Sequence, residues 1–293
     1  MKHPVFKLNN GVELPALGLG VFRSGEEGTV EAVKAALSVG YRMIDTAAAY
    51  GNEAYVGQGL RESDVPREEV VIQTKLWMSD YGFDKALHGF DRSMKTLGLE
   101  TLDVYLLHWP QPKLFDLTIE SWKALSRLLK EGRIRAIGVC NASVDQMKKL
   151  TDATGITPVL NQIEMHPYFS QAALREAIRE MGVVPQAWSP LGGVSSYSGD
   201  GSLIPLKDEV LIGLSGKYNK TVAQIILRWH LQNGVSIIPK SVTPGRIREN
   251  ADLFDFELEA GDIAAIDALD RGQRAGIDPQ VASVQYFGRV IED

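Results

Sequence analysis

Short runs of apolar and β-branched residues recur along the chain at steps of roughly 30 residues, and helical patterns fill the intervals. The runs are ALGLG from Ala16, YRMID from Tyr41, VVIQTKL from Val70, LDVYLLH from Leu102, IRAIGVC from Ile134, TPVLNQIE from Thr157, VVPQAW from Val183 and VSIIPK from Val235. Between them apolar residues advance by three and four, as in Leu87, Phe90, Met94 and Leu97, or Ile119, Trp122, Leu125 and Leu129. That spacing puts one apolar stripe on each helix. Gly40, Gly98, Gly132 and Gly182 follow such stripes, where a left-handed terminal residue costs least. Ser143 with Gln146, and Thr221 with Gln224, have the spacing of capping boxes.

Strands alternating with helices eight times over predict an α/β fold, the (β/α)8 TIM barrel. A doubly wound sheet is the competing architecture, but it wants a glycine-rich phosphate loop after its first strand. Here GLGVFR from Gly18 sets Arg23 where the third glycine belongs. Ahead of the first strand, FKLNNGVELPAL carries Asn10-Gly11 between alternating residues, which predicts an N-terminal β-hairpin closing the bottom of the barrel. The interval from Val183 to Val235 is about twice the others and holds GGVSSYSGDGS from Gly192, the composition of a lid or binding loop. No linker interrupts the pattern, so residues 1–293 read as a single barrel domain.

Composition narrows the function more than the fold. Hydrophobic residues at 44% and charged residues at 23% are ordinary for a globular chain. A net charge of -6 excludes general affinity for nucleic acid or an anionic membrane, while leaving room for one local phosphate site. The single cysteine, Cys140, excludes an intramolecular disulfide and a cysteine-rich zinc site, and suits a reducing cytoplasm. No apolar run reaches the 18 residues or so of a membrane span, and no secretory leader precedes the hairpin. A soluble cytoplasmic protein with no metal is the expectation.

In such a barrel the site lies at the C-terminal ends of the strands. Asp45 ends the second and Tyr50 follows it; Lys75 ends the third, His108 the fourth, and Asn141 follows the fifth. Gln162 lies near the end of the sixth, Trp188 ends the seventh and Lys240 the eighth. Taken singly, each has a plainer reading: Asp45 a turn residue, Tyr50 packing, Lys75 a surface cation, His108 a satisfied core histidine. The constellation overturns those readings. A tyrosine with a pKa near ~10 is a poor acid at neutral pH until an ammonium stabilises its phenolate. Lys75 can supply that charge, and Asp45 can keep Lys75 ionised next to an apolar barrel. A neutral His108 can orient a substrate oxygen. Together they form a general acid suited to reducing a carbonyl or, reversed, oxidising an alcohol.

Over almost its whole length the chain resembles the aldo-keto reductases, in the ordered blocks GLGVF, IDTAAAYGNE, TKLW, DVYLLHWP, IGVCN, NQIEMHPY, AWSPLG and IPKSVTPGRIREN. AWSPLG and the overall length are most similar to the bacterial branch that includes 2,5-diketo-D-gluconate reductases. The resemblance implies a monomeric, NADPH-dependent reductase of small carbonyls, with Tyr50 as acid, Lys75 and Asp45 behind it and His108 beside it. It places Asn141 and Gln162 on the nicotinamide carboxamide, Trp188 against the ring, and Ser189 and Leu191 on the ribose and pyrophosphate beneath the glycine-rich lid. Lys240, Ser241, Val242 and Arg246 fall in the turn that would take the 2'-phosphate, with Glu249 and Asn250 near the adenine. Two cations and a hydroxyl leading into a helix N-terminus support a phosphate site independently. Phe22, Trp77 and Trp109, with Tyr286 in the stretch Val284 to Phe287, should line the substrate pocket. Aromatic walls of this kind suit small planar carbonyls such as aldehydes, α-diketones, keto esters or diketo sugar acids. The family commonly has Ser-Asn-Phe where this chain has Cys140, Asn141 and Ala142, which replaces a hydroxyl by a weakly bonding thiol.

Three rivals stand against this reading. YGFDK from Tyr81 has the Tyr-x-x-x-Lys spacing of a short-chain dehydrogenase, but it precedes a helix and lacks the glycine-rich loop. A zinc dehydrogenase lacks its cysteines, and no two histidines have H-E-x-x-H spacing. The third is a non-catalytic NADP-binding regulatory subunit on the same barrel, since a fold does not fix an activity.

Overall fold

A computed structural model describes residues 4–192 and 204–292. The chain opens with an antiparallel hairpin of β1 (Val5–Lys7) and β2 (Glu13–Pro15). The turn between them closes through the Leu8 and Val12 backbones at 2.9 Å, with Gly11 in the left-handed region. Asn9 and Asn10 at its tip donate to the carbonyls of Pro158 and Arg135, at the entrances of two barrel strands. The hairpin thus covers the N-terminal end of the barrel, as the Asn-Gly signal predicts.

Eight parallel strands follow among the described residues: β3 (Leu19–Gly20), β4 (Met43–Asp45), β5 (Val71–Leu76), β6 (Leu102–Leu107), β7 (Ile134–Cys140), β8 (Leu160–Glu164), β9 (Val184–Trp188) and β10 (Ser236–Ile237). Each pairs with the next in sequence. The sheet closes where Leu17 and Gly20 bridge in parallel to Ile237 and Lys240. Gly20 is required at that seam, because a Cβ there would stand 2.8 Å from the Ile238 carbonyl oxygen. Between the strands run α1 (Glu26–Ser38), α2 (Glu53–Arg61), α3 (Phe83–Leu97), α4 (Phe115–Lys130), α5 (Val144–Thr154) and α6 (Ala172–Glu180). The long interval before β10 holds two helices, α7 (Glu209–Tyr218) and α8 (Val222–Gln232), which explains part of its length. The glycine-rich lid expected from Gly192 lies mostly outside the described residues. After β10 come α9 (Pro244–Ala251), α10 (Ala260–Asp267) and the short α11 (Val284–Phe287). Both capping boxes read from sequence are formed, at Ser143 and Thr221.

Alternation along the strands divides the core in two. Outward residues such as Ile72, Leu76, Tyr105 and Leu107 pack with the helical stripes, including Phe90, Met94, Trp122 and Leu125. Inward residues such as Met43, Val71, Val104, Leu106 and Leu160 fill the lower lumen against Leu8 and Leu14 of the hairpin. Trp122 and Trp229 are fully buried in the outer layer, and their indole N–H groups donate to Thr154 and Asp267. Among the described residues no helix is long and apolar enough to cross a membrane.

Candidate active site

Above the apolar lower lumen the inward positions turn polar. Lys75 on β5 is 0% exposed, and so depends entirely on its partners for charge. Its Nζ donates to both oxygens of Asp45 at 2.8 Å, to the Thr46 carbonyl at 2.9 Å and to the Tyr50 hydroxyl at 3.4 Å. Burial pulls the lysine's pKa down, the charges of Asp45 and Tyr50 push it up, and the net direction is upward. Lys75 is therefore an ammonium. For Tyr50 burial is the larger influence and raises the pKa, while Lys75 opposes it. The phenol is thus protonated at neutral pH, with a cation beside the oxygen that would become phenolate.

Local structure carries Tyr50 to this place. It ends a 3-10 turn over Ala48–Tyr50, which Gly51 closes in the left-handed region. Asn52 pins the turn, accepting from Thr46 Oγ1 at 2.7 Å and donating to the Val21 carbonyl at 2.8 Å. His108, just beyond β6, sets its ring 5.6 Å from that of Tyr50, edge to face. Burial, and secondarily the Lys75 charge, hold its pKa well below the ordinary histidine value. His108 is thereby held neutral, and its Nδ1 is buried without a partner.

Aromatic rings surround the pair. Phe22 lies 4.8 Å from Tyr50 and Trp77 5.1 Å from His108, while Trp109 stacks on His108 at 6.3 Å. From the C-terminal arm it is Phe287 that reaches this wall, 5.2 Å from Trp77 and 5.3 Å from Trp109. Tyr286 is 56% exposed and meets the wall through Phe287. The arm is fixed where Trp77 Nε1 donates to the Arg289 carbonyl at 2.8 Å. The Arg289 guanidinium lies over Gly51, next to Tyr50.

The expected cofactor residues lie on or just after β7, β8, β9 and β10, and on α9. Trp188 Nε1 donates to Asn141 Oδ1 at 2.8 Å, and Asn141 is itself left-handed at φ 58°. Gln162 gives Nε2–H bonds to Asp45 and Gln186. Ser189, at φ 47°, begins the turn containing Leu191, which the Nε2 of His230 steadies through the Pro190 carbonyl. Burial pushes the His230 pKa down to about 3, so the ring is neutral and structural. Lys240, Val242 and Arg246 are exposed at the start of α9, Ser241 is buried, and the helix has no side-chain cap on its first turn. Among the described residues no carboxylate pairs with Lys240 or Arg246. Glu249 accepts from Thr221, and Asn250 is buried one turn further on.

Other titratable residues fall outside this arrangement. Cys140 is buried in the lumen, and burial raises its thiol pKa, so it is not a thiolate. Tyr81 donates to the Trp109 carbonyl at 2.8 Å from below the aromatic wall, and Lys85 is exposed on α3. The Tyr-x-x-x-Lys spacing therefore brings no pair together. Sequence reasoning passed over Asn52, Gln73 and Gln186. The signal for the two glutamines was a polar residue in mid-strand, on the same alternating face as Lys75 for Gln73 and between apolar neighbours for Gln186.

The chain is similar to known proteins over most of its length. A model of the aldo/keto reductase family matches residues 16–271. Morphine 6-dehydrogenase of Pseudomonas putida is 48% identical over 294 residues, 99% of each chain. Glyoxal reductase of Bacillus subtilis (strain 168) is 48% identical over 275 residues, covering 93% of this chain and 95% of the other. The crystal structure of a Bombyx mori aldo-keto reductase in complex with NADP matches with a TM-score of 0.88 at 35% identity, over 94% of this chain and 96% of that one.

Proposed function

Because the chain belongs to the aldo/keto reductase family, we propose that it reduces small carbonyl compounds with NADPH and that Tyr50 delivers the proton. The observation that carries the reading is Lys75 Nζ, held 2.8 Å from both Asp45 oxygens and 3.4 Å from the Tyr50 hydroxyl. A buried, paired ammonium at that distance stabilises a phenolate and leaves the neutral phenol intact until the proton is taken.

The residues present fit the cofactor. Both N–H groups of Gln162 are engaged, so its oxygen remains for an N–H donor such as a carboxamide. The uncapped start of α9, where no carboxylate among the described residues pairs with Lys240 or Arg246, suits a 2'-phosphate. When bound, NADPH supplies a hydride to the carbonyl carbon. His108, neutral, donates a hydrogen bond to the carbonyl oxygen and fixes its direction. Tyr50 passes its proton to that oxygen as negative charge develops on it, and Lys75 holds the phenolate left behind. Phe22, Trp77, Trp109 and Phe287 exclude water and accept a small planar substrate. Arg289 over Gly51 favours those carbonyls that also carry a carboxylate.

Tyr50→Phe tests the reading. It should bind NADPH normally by fluorescence titration and lose turnover on the order of 10²- to 10⁴-fold. Near-normal turnover would remove Tyr50 as the acid. A wild-type protein that binds NADPH tightly, yet reduces no aldehyde, α-diketone, β-keto ester or sugar diketo acid, would instead be a regulatory subunit.

A further inference from the structure

A row of buried side-chain amides crosses the barrel at the depth of Asp45. Gln73 on β5, Gln162 on β8 and Gln186 on β9 are each 2% exposed or less. Strand register sets the row: Asp45 is opposite Gln73, Gln162 opposite Gln186, and Gln186 opposite Ser236. Gln73 Nε2 donates to Asp45 Oδ1 at 2.6 Å and, across the lumen, to Gln186 Oε1 at 2.7 Å. Gln162 Nε2 donates to the same two oxygens at 3.0 and 2.8 Å. Gln186 Nε2 then donates to Ser236 Oγ at 3.2 Å, and Ser236 to the Pro15 carbonyl at 3.3 Å.

The chemistry fixes the direction of every link. A carboxylate only accepts, so Gln73 and Gln162 must both turn their NH2 groups to Asp45. Their second N–H bonds need a common acceptor, which is the Gln186 oxygen, and this turns the Gln186 NH2 toward Ser236. The arrangement has a cost: Gln73 Oε1 is buried without a partner, an unsatisfied acceptor that packing alone would not select. Just below, the same lumen is filled with apolar side chains.

We propose that Gln73, Gln162 and Gln186 are positioning residues of the proton donor, with Gln186 anchoring the other two so that their N–H groups hold Asp45 Oδ1 charged and in place beneath Lys75. The inference rests on Tyr50 being the acid. Two N–H donors on Oδ1 favour the ion pair over its neutral alternative, in which one proton moves from Lys75 Nζ to Asp45. That transfer would leave Tyr50 beside an uncharged amine and make it a weaker acid. The other titratable groups around Lys75 are Tyr50, His108 and Cys140 within the lumen and Glu53 behind β5. Substitutions in the row leave all four in place.

The experiment compares Gln186→Leu, which removes the shared acceptor at similar volume, with Gln186→Glu, which keeps an oxygen for both amides. The readouts are kcat for carbonyl reduction at saturating NADPH across the pH range, and a thermal melt of each variant. For Gln186→Leu we expect a roughly tenfold loss of kcat and an alkaline limb moved up by about half a pH unit or more, because the acid has weakened. Gln186→Glu should recover most of the lost kcat. Should Gln186→Leu fail to fold, Gln73→Leu is expected to give the same upward shift. The inference is overturned by an unmoved limb with kcat within twofold of wild type, or by Gln186→Glu performing no better than Gln186→Leu. Tyr50→Phe measured alongside separates the two readings. Retained turnover there defeats the proton-donor assignment itself, whereas its loss with unshifted glutamine variants defeats only the present one.

Discussion

Replacing Asp45 with asparagine changes one atom and one charge at the point on which the proposed acid depends. In the wild type the Asp45 carboxylate opposes the burial of Lys75 and wins, so the folded lysine pKa lies above its ordinary value. The pair's contribution to stability is then complete below about pH 10 and is lost only as pH climbs through the folded value. Between pH 6 and 9 Lys75 therefore adds no slope to wild-type stability. In Asp45→Asn burial loses its main counterweight, and an amide NH2 facing Nζ repels the ammonium further. The folded pKa should drop below the unfolded one, so that the unfolded chain binds the extra proton. Stability must then rise with pH, by up to about 1.4 kcal/mol per unit, from the folded pKa up to about pH 10. At low pH the full penalty of a broken buried pair, about 3–5 kcal/mol, should be felt. Catalysis falls with it. A unit charge 3.4 Å from the Tyr50 oxygen is worth roughly 5 kcal/mol at an effective dielectric of ~20. If about half is expressed in the transition state, turnover drops on the order of a hundredfold. Thermal or urea unfolding from pH 6 to 9, together with kcat under NADPH saturation, reads both effects. A variant whose stability is flat over that range, with turnover within threefold of wild type, would refute the claim that Asp45 keeps Lys75 charged.

Other expectations follow from single features. Arg246→Ala should weaken NADPH binding much more than NADH, measured by parallel fluorescence titrations; equal weakening would contradict a 2'-phosphate site at α9. His108→Asn should lower kcat/KM by roughly a hundredfold without moving the alkaline limb, because the imidazole is already neutral there; a shifted limb would make His108 part of the acid. Arg289→Ala should raise KM for carbonyls bearing a carboxylate and leave that of simple aldehydes unchanged, and a uniform change across the panel would remove its role in selection. Gly57→Ala would drive a Cβ to 2.1 Å from the Leu97 carbonyl where α2 meets α3, so it should cost about 1–3 kcal/mol and lower the Tm while the folded enzyme keeps its activity.

The barrel could be read from the chain because period and spacing are local properties. Each apolar run and each three-and-four stripe reports its own element, and eight repeats leave few ways to bury them all. The ends of the strands were equally legible, which is why Asp45, Lys75 and His108 could be named as neighbours although dozens of residues separate them. Phase within a short element was not. Val284, Gln285, Tyr286 and Phe287 form one turn, and nothing local decides which of its two aromatic rings turns inward; the contact of Phe287 with Trp77 and Trp109 depends on where the arm is pinned at Arg289. The glutamine row lies between these cases. VVIQTKL, NQIE and VVPQAW each place a glutamine inside a strand, and two-residue alternation puts Gln73 on the face of Lys75. That much was open to reading. The meeting of Gln73 with Gln186, 113 positions away, required the register of every intervening strand and the closure of the sheet at Gly20. In a closed barrel, then, an inward polar residue at mid-strand marks a contact across the lumen whose partner only the assembled sheet can name. When such residues converge on a charged group near the catalytic end, as these do on Asp45, the lumen above the apolar plug is part of the chemistry rather than of the packing.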